Sequence, residues 1–147
     1  MISLMILRPG LPGVALAACV MFASPAFSET VSFKADLKAS EEVPPNDSKA
    51  TGTVTATYDT ANKKLTWKGN YSGLTGPATM AHFHGPAEPG KNAGVAVPIT
   101  PSASPFENSA NLTDAQAADL LAGRWYVNVH TAAHPGGEIR GQLVKGM

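Results

Sequence analysis

The feature that most constrains the fold of this chain is a strict alternation of apolar and polar residues. In the segment TVSFKADLKAS, residues 30–40, the apolar positions are Val31, Phe33, Ala35 and Leu37. A period of two places successive side chains on opposite faces of an extended strand. One face of this segment is therefore predicted to be buried and the other to face water.

Similar strand patterns recur through the chain. TGTVTATYDT and LTWKGNYSG, residues 51–60 and 65–73, each carry their larger apolar side chains on one face, and the polar stretch between them suits a hairpin turn. Further strand-like segments surround Phe83, Val97, Phe106, Val127 and Ile139. The total of about seven or eight short strands predicts an all-β, antiparallel sandwich or barrel.

One short helix is predicted near residues 114–122. Thr113 can cap its start, and Gln116, three residues later, completes a capping box. Three apolar residues then share one face, and Gly123 stands where a left-handed residue would end the helix. Such a helix is expected to cover an open end of the β structure.

Residues 1–28 are predicted to be an export signal, and residues 29–147 a single domain. Arg8 is the only charged residue of the signal, and an apolar run too short to span a bilayer follows it. A second processing route stays open, because LAAC at residues 16–19 has the form of a lipoprotein box. That route would leave Cys19 lipidated and the protein anchored to a membrane. Both routes predict an exported protein, and the first predicts one that is periplasmic or secreted.

The composition of residues 29–147 restricts the partners and the chemistry. Ten Lys and Arg residues face eleven Asp and Glu residues without blocks of either sign, so no nucleic-acid partner is expected. The single cysteine lies in the predicted signal, which leaves the domain without disulfides or thiolate chemistry. No later stretch approaches the length of about twenty apolar residues that a transmembrane helix requires.

All four histidines are gathered into two short segments, MAHFHGPAEPG and VNVHTAAHPGGEIRG. His82 and His84 are two residues apart on a predicted strand, so both point to one face, about 6–7 Å apart. If the two segments lie side by side, His130 approaches this pair and His134 can join from the loop. Clustered imidazoles suit Cu or Zn far better than Ca or Mg. The four histidines are therefore the predicted metal ligands, and a mononuclear site of the first three is the sharpest form of this hypothesis.

A structural role for the same histidines stays open beside the metal site. Histidines at strand ends can bond backbone carbonyls or carboxylates and hold loops in shape. Glu138 and Arg140 alternate on the last predicted strand and are available to pair with them. The adjacent Glu41 and Glu42 point to opposite faces of an extended chain, so we expect them to decorate a surface loop.

The two histidine segments also resemble each other. When His84 is placed on His130, three further positions match without a gap: Ala87 on Ala133, Pro89 on Pro135 and Gly90 on Gly136. The match predicts two similar hairpins, each with a Pro-Gly turn.

Three stretches within residues 31–144 stand out: FKADLKASEEVPP, AHFHGPAEPGKNAGVAVPI and LTDAQAADLLAGRWYVNVHTAAHPGGEIRGQL. Together they resemble the CHRD domain, a family first described in chordin and common as a single-domain exported protein in bacteria. The resemblance implies an immunoglobulin-like, Greek-key β-sandwich or barrel in an extracellular setting. It implies no particular activity.

The predicted function is that of an exported, non-enzymatic binding module. Its partner is a transition metal held by the histidines, or an extracellular or envelope protein or glycan. Two alternatives stay open. One is a metal-dependent redox enzyme resembling copper/zinc superoxide dismutase, which also places a His-x-His strand on a Greek-key scaffold. The other is a structural component of the envelope or matrix.

Overall fold

The computed structural model describes residues 28–146. The predicted export signal up to residue 27 and its lipoprotein box lie outside these residues. No helix of the described part is long and apolar enough to cross a membrane. The elements in chain order are β1 Thr30–Lys38, a 3-10 turn Ala39–Glu41, β2 Thr51–Asp59, β3 Lys64–Ser72, β4 Ala78–His84, β5 Val95–Pro98, β6 Phe106–Asn111, α1 Asp114–Leu121, β7 Tyr126–Thr131, β8 Ile139–Gln142 and β9 Val144–Lys145.

The strands form one antiparallel sheet that curls into a nearly closed barrel. Its order is β5-β4-β7-β8-β1-β2-β3-β6, and β9 adds a second short pairing to β1. The prediction of an all-β antiparallel fold is confirmed. The described residues contain nine strands because the predicted last strand is divided at Leu143. This residue is fully buried, and its N–H donates to the Trp125 carbonyl, 2.9 Å away.

The core fills the inside of this barrel with the alternate residues that the sequence pattern predicted. Phe33, Ala35 and Leu37 of β1 are all buried. Across the core, the rings of Trp67 on β3 and Phe83 on β4 meet edge to face with centroids 5.1 Å apart. Aromatic contacts of this geometry join the two halves of the sheet.

The predicted helix is confirmed as α1. The Thr113 hydroxyl accepts from the Gln116 N–H, and the Gln116 side chain accepts from the Thr113 N–H, at 3.2 and 2.9 Å. Ala117 and Leu120 are buried. The Gln116 side chain also donates to the Ala96 carbonyl of β5, 3.0 Å away. The helix is thereby fastened to an edge strand of the sheet.

Strand β7 is buried on both faces along its whole length, and β8 beside it is buried on both faces over most of its length. Val127 and Val129 face the core as predicted, yet Tyr126, Asn128 and His130 on the opposite face are also at most 6% exposed. Two loops cover this outer face, residues 39–50 and 85–94. They are joined to each other where the Asn92 side chain donates to the Val43 carbonyl, 3.0 Å away.

Candidate metal centre

Three of the four histidines meet on the outer face of β4 and β7. These strands pair antiparallel, with His82 opposite Asn128 and His84 opposite Tyr126, so His130 lies diagonally across from His82. His82, His84 and His130 each offer one ring nitrogen, and the three nitrogens lie within 4.8 Å of one another. His134 is outside this group.

The ring of His130 is oriented by a backbone carbonyl. Its Nδ1 lies 2.9 Å from the Pro135 oxygen, which can only accept a hydrogen bond. The proton of a neutral ring is therefore on Nδ1. The lone pair of Nε2 then points at Nδ1 of His82, 3.1 Å away, and His82 donates to it.

The ring of His84 is oriented in the same way. Its Nδ1 lies 3.0 Å from the Ala93 carbonyl, and its Nε2 lies 2.9 Å from the side-chain oxygen Oδ1 of Asn128, so both ring nitrogens face hydrogen-bond acceptors. Two of the three histidines thus place Nδ1 on a backbone carbonyl, which orients their rings as in metal-binding histidines. Only His130 also has a fixed tautomer, since Nε2 of His84 faces a second acceptor.

The two carbonyls belong to matching hairpin loops, which confirms the predicted similarity of the two histidine segments. Each loop follows the strand that carries its histidine and contains a Pro-Gly turn. The turns close with the Lys91 N–H on the Glu88 carbonyl at 3.1 Å and the Gly137 N–H on the His134 carbonyl at 3.0 Å. The prolines and glycines therefore shape the loops that hold the histidine rings.

Tyr126 fixes the loop that carries Ala93. The Tyr126 ring stacks on His84, with centroids 4.8 Å apart and an interplanar angle of 4°. The guanidinium of Arg140, from the other neighbouring strand, lies 3.4 Å from the Tyr126 centroid. The Tyr126 hydroxyl accepts from the Ala93 N–H at 3.2 Å, and Arg140 donates to the Asn92 side chain at 2.8 Å. The His84 ring is consequently held between the Tyr126 ring and the loop that carries Ala93.

The surroundings of the cluster favour neutral imidazoles. Burial lowers the pKa of His82, and the nearby His130 and His84 lower it further. Burial also lowers the pKa of His84, against hydrogen bonds to Ala93 and Asn128 that raise it. A neutral ring keeps the lone pair that a metal ion requires.

The interpretation of Glu42 as a residue of a surface loop was wrong. Glu42 was expected on the surface but is only 5% exposed, whereas Glu41 is exposed. Burial raises the pKa of Glu42 to about 7, although the Arg140 charge and hydrogen bonds from Asn128 and Val43 oppose the rise. The adjacent glutamates do point apart, but the alternation does not say which side a loop will cover.

Glu138 and Arg140 were available to pair with the histidines in the structural alternative, and the structure gives them other partners. The Glu138 carboxylate is fully buried and accepts from the Ser48, Thr75 and Thr131 hydroxyls and from the Thr75 N–H. Arg140 binds the loop of residues 85–94 and the Tyr126 ring, as described above. Both side chains therefore hold loops around the site and do not contact the imidazole cluster.

Sequence reasoning missed the supporting residues Tyr126 and Asn128. A pattern that could have found them is present, because they alternate with His130 in YVNVH and so share its face. What the sequence does not contain is the position of the loops that bury this face.

Comparison with known proteins agrees with this architecture. The family model of the CHRD domain matches residues 33–143, a span that runs from β1 through β8 and includes the histidine cluster. Neither a curated protein nor a solved structure gave a significant match. Because the match covers well over half of the sequence, the chain belongs to the CHRD domain family.

Proposed function

We propose that this protein is an exported, non-enzymatic binding module that holds one transition metal ion, Cu or Zn, through His82, His84 and His130. The observation that carries the proposal is the convergence of three imidazole nitrogens within 4.8 Å, two of the rings being oriented through Nδ1 by backbone carbonyls. His134 is left out of the proposed ligand set because its ring is not part of this group.

The spacing of the nitrogens fits such an ion. A tetrahedral ion with metal–nitrogen bonds of about 2.0–2.1 Å holds its ligand nitrogens about 3.3–3.5 Å apart. Nδ1 of His82 and Nε2 of His130 are already 3.1 Å apart. An ion bound between them would take the place of the proton they share, and the third nitrogen, from His84, lies within 4.8 Å of both.

The ligand set also favours a particular class of ion. It contains only imidazole nitrogens, which suit copper and zinc, whereas calcium and magnesium require oxygen ligands. The carboxylate of Glu42 is hydrogen-bonded by Asn128 and is not among the three ligands. Export follows from the predicted signal of residues 1–28 and agrees with the extracellular type of the CHRD domain.

Metal titration of the purified, tag-free protein tests the proposal. The protein should carry Cys19→Ser, so that no thiol competes for the ion in chains that retain the signal of residues 1–28. We expect one tightly bound Cu or Zn per chain by calorimetry. The His82→Ala/His84→Ala variant should lose this binding, while His134→Ala, which removes a histidine outside the group, should keep it.

His84 is buried, so its replacement by Ala can also destabilise the fold. A second variant separates loss of the ligand from loss of the fold. His82 is only partly buried, so His82→Ala alone should lower the affinity while leaving the thermal unfolding midpoint of the metal-free protein nearly unchanged. Equal binding by the wild type and the double variant would overturn the proposal. The histidines would then serve only to hold the loops in shape. The ligand would be sought among envelope proteins and glycans.

A further inference from the structure

We propose that the thioether of Met80 is the fourth ligand of this site and that the ion it selects is Cu(I). The proposal rests on the function proposed above and adds the identity and oxidation state of the metal.

The strand register places Met80 beside the histidine cluster. Met80 lies directly opposite His130 in the β4–β7 pairing and two residues before His82 on the same strand. Ala81 and Phe83 point into the core, so Met80, His82 and His84 share the outer face. Directly opposed residues on antiparallel strands have Cβ atoms about 4.5–5.5 Å apart, a distance that a flexible methionine side chain bridges easily.

The exposure of Met80 is unusual for its type. It is 48% exposed, although it is the only methionine of residues 28–146 and the core offers many apolar positions. The register of β4 against β7 shifts between Ala78 and Met80, which marks a β-bulge or a similar irregularity. Such irregularities often occur next to functional sites. Met80 therefore lies on the open side of a cluster whose other side is covered by loops.

The chemistry of the combined ligand set points to copper in its lower oxidation state. A thioether is a soft donor that selects Cu(I), and it adds little to the binding of Zn, for which imidazole and thiolate are the usual soft ligands. Three neutral imidazoles and a thioether add no negative charge, a set that favours a monovalent over a divalent ion. An exposed methionine also leaves the ion accessible for transfer to or from a partner.

Competition titrations with a colorimetric Cu(I) chelator, under anaerobic and reducing conditions, test this inference. The comparison uses the Cys19→Ser protein, its Met80→Leu variant and, as a control, Val144→Leu. Leucine keeps the apolar volume of methionine and removes only the sulfur. Val144 is 57% exposed on β9, which pairs with β1 and not with β4 or β7.

We expect Met80→Leu to lower the Cu(I) affinity at least about tenfold, the lower end of the loss seen when a supporting group is removed from a metal site. The Zn affinity should change less than about twofold, and Val144→Leu should change neither affinity. A sulfur scatterer in the copper K-edge absorption spectrum should disappear in Met80→Leu.

The remaining outcomes separate the two proposals. Unchanged Cu(I) affinity in Met80→Leu, or an equal loss for Cu(I) and Zn, would overturn the role of Met80 and leave the histidine site in place. No binding of either metal by the parent protein would overturn both.

Discussion

The proton on the His130 ring has a defined position because the two ring nitrogens have different neighbours. Nδ1 faces the Pro135 carbonyl at 2.9 Å, and Nε2 faces His82 at 3.1 Å. We therefore predict that neutral His130 in the metal-free protein is the Nδ1–H tautomer, the minority form of free histidine. Two-dimensional ¹⁵N–¹H spectra that correlate the ring nitrogens with the carbon-bound protons distinguish the tautomers.

Addition of a stoichiometric diamagnetic ion such as Zn should then shift the Nε2 resonance of His130 and leave Nδ1 protonated. His134 provides the internal control, since its ring lies outside the cluster. Observation of the Nε2–H tautomer in the metal-free protein would contradict the orientation described here, because Nε2 would no longer have a lone pair for the ion.

Single residues also mark what the sequence could and could not reveal of the site. His82 and His84 share a face by the period of a strand alone, and the alternation in YVNVH places His130 on the outer face. The predicted approach of His130 to the pair assumed that β4 and β7 are neighbours. The sequence alone could not establish this, because strand neighbours depend on topology. The burial of Glu42 could not be predicted at all, since it follows from the path of two loops.

Among the secondary-structure elements, the hairpin between β7 and β8 depends on a glycine that touches a buried carboxylate. Gly137 has φ +130, and a Cβ at this position would collide with Oε1 of Glu42. We predict that Gly137→Ala destabilises the protein by about 1–3 kcal/mol, because both the backbone conformation and the space favour glycine. Urea unfolding followed by tryptophan fluorescence measures this loss.

Gly136 is the matched control for this substitution in the same turn. A Cβ there meets nothing within 4 Å, and its φ is not positive. Gly136→Ala should therefore change the free energy of unfolding by less than about 0.5 kcal/mol. Similar losses for the two variants would show that the turn as a whole tolerates no side chain, and that Glu42 is not the cause.

Elements with a strong local pattern were predicted closely, and those shaped by distant contacts were not. The bounds of β1, β2, β3 and α1 differ from the prediction by a residue or two because alternation and capping are local. The break between β8 and β9 has a non-local cause. Leu143 leaves the ladder to bond Trp125, and the chain then continues beside β1.

Two buried glutamates make the stability of the entire domain respond to pH in opposite directions. Desolvation alone would raise the pKa of Glu138, but hydrogen bonds from Ser48, Thr131 and Thr75 lower it to about 2. Its folded pKa is thus below its unfolded value of 4.5, so its contribution is complete above pH 4.5 and is lost as the pH falls towards 2. We predict that the stability difference between wild type and Glu138→Gln shrinks over this acid range.

Urea titrations of both proteins at a series of pH values from 2 to 6 measure that difference. The wild type should be clearly more stable at pH 6, because the carboxylate accepts hydrogen bonds that an amide N–H cannot. A difference that stays constant down to pH 2 would contradict the role assigned to the Glu138 carboxylate in holding three segments of the chain together.

Glu42 has the opposite effect because its folded pKa, about 7, lies above the unfolded value of 4.5. The folded domain therefore favours the protonated acid, and it loses stability as the pH rises from 4.5 to 7, where Glu42 must ionise away from water. Glutamine cannot ionise. We predict that Glu42→Gln gains stability relative to wild type on going from pH 4 to pH 8, by roughly 2–4 kcal/mol.

Comparing the two proteins at each pH isolates Glu42 from the histidines. The pKa values of His82 and His84 are lowered in the folded state, so these residues make both proteins more stable as the pH rises towards 6.5, the unfolded value. This contribution is common to wild type and Glu42→Gln and cancels in the difference. A difference that does not change between pH 4 and pH 8 would mean that Arg140 and Asn128 stabilise the ionised Glu42 enough to offset its burial.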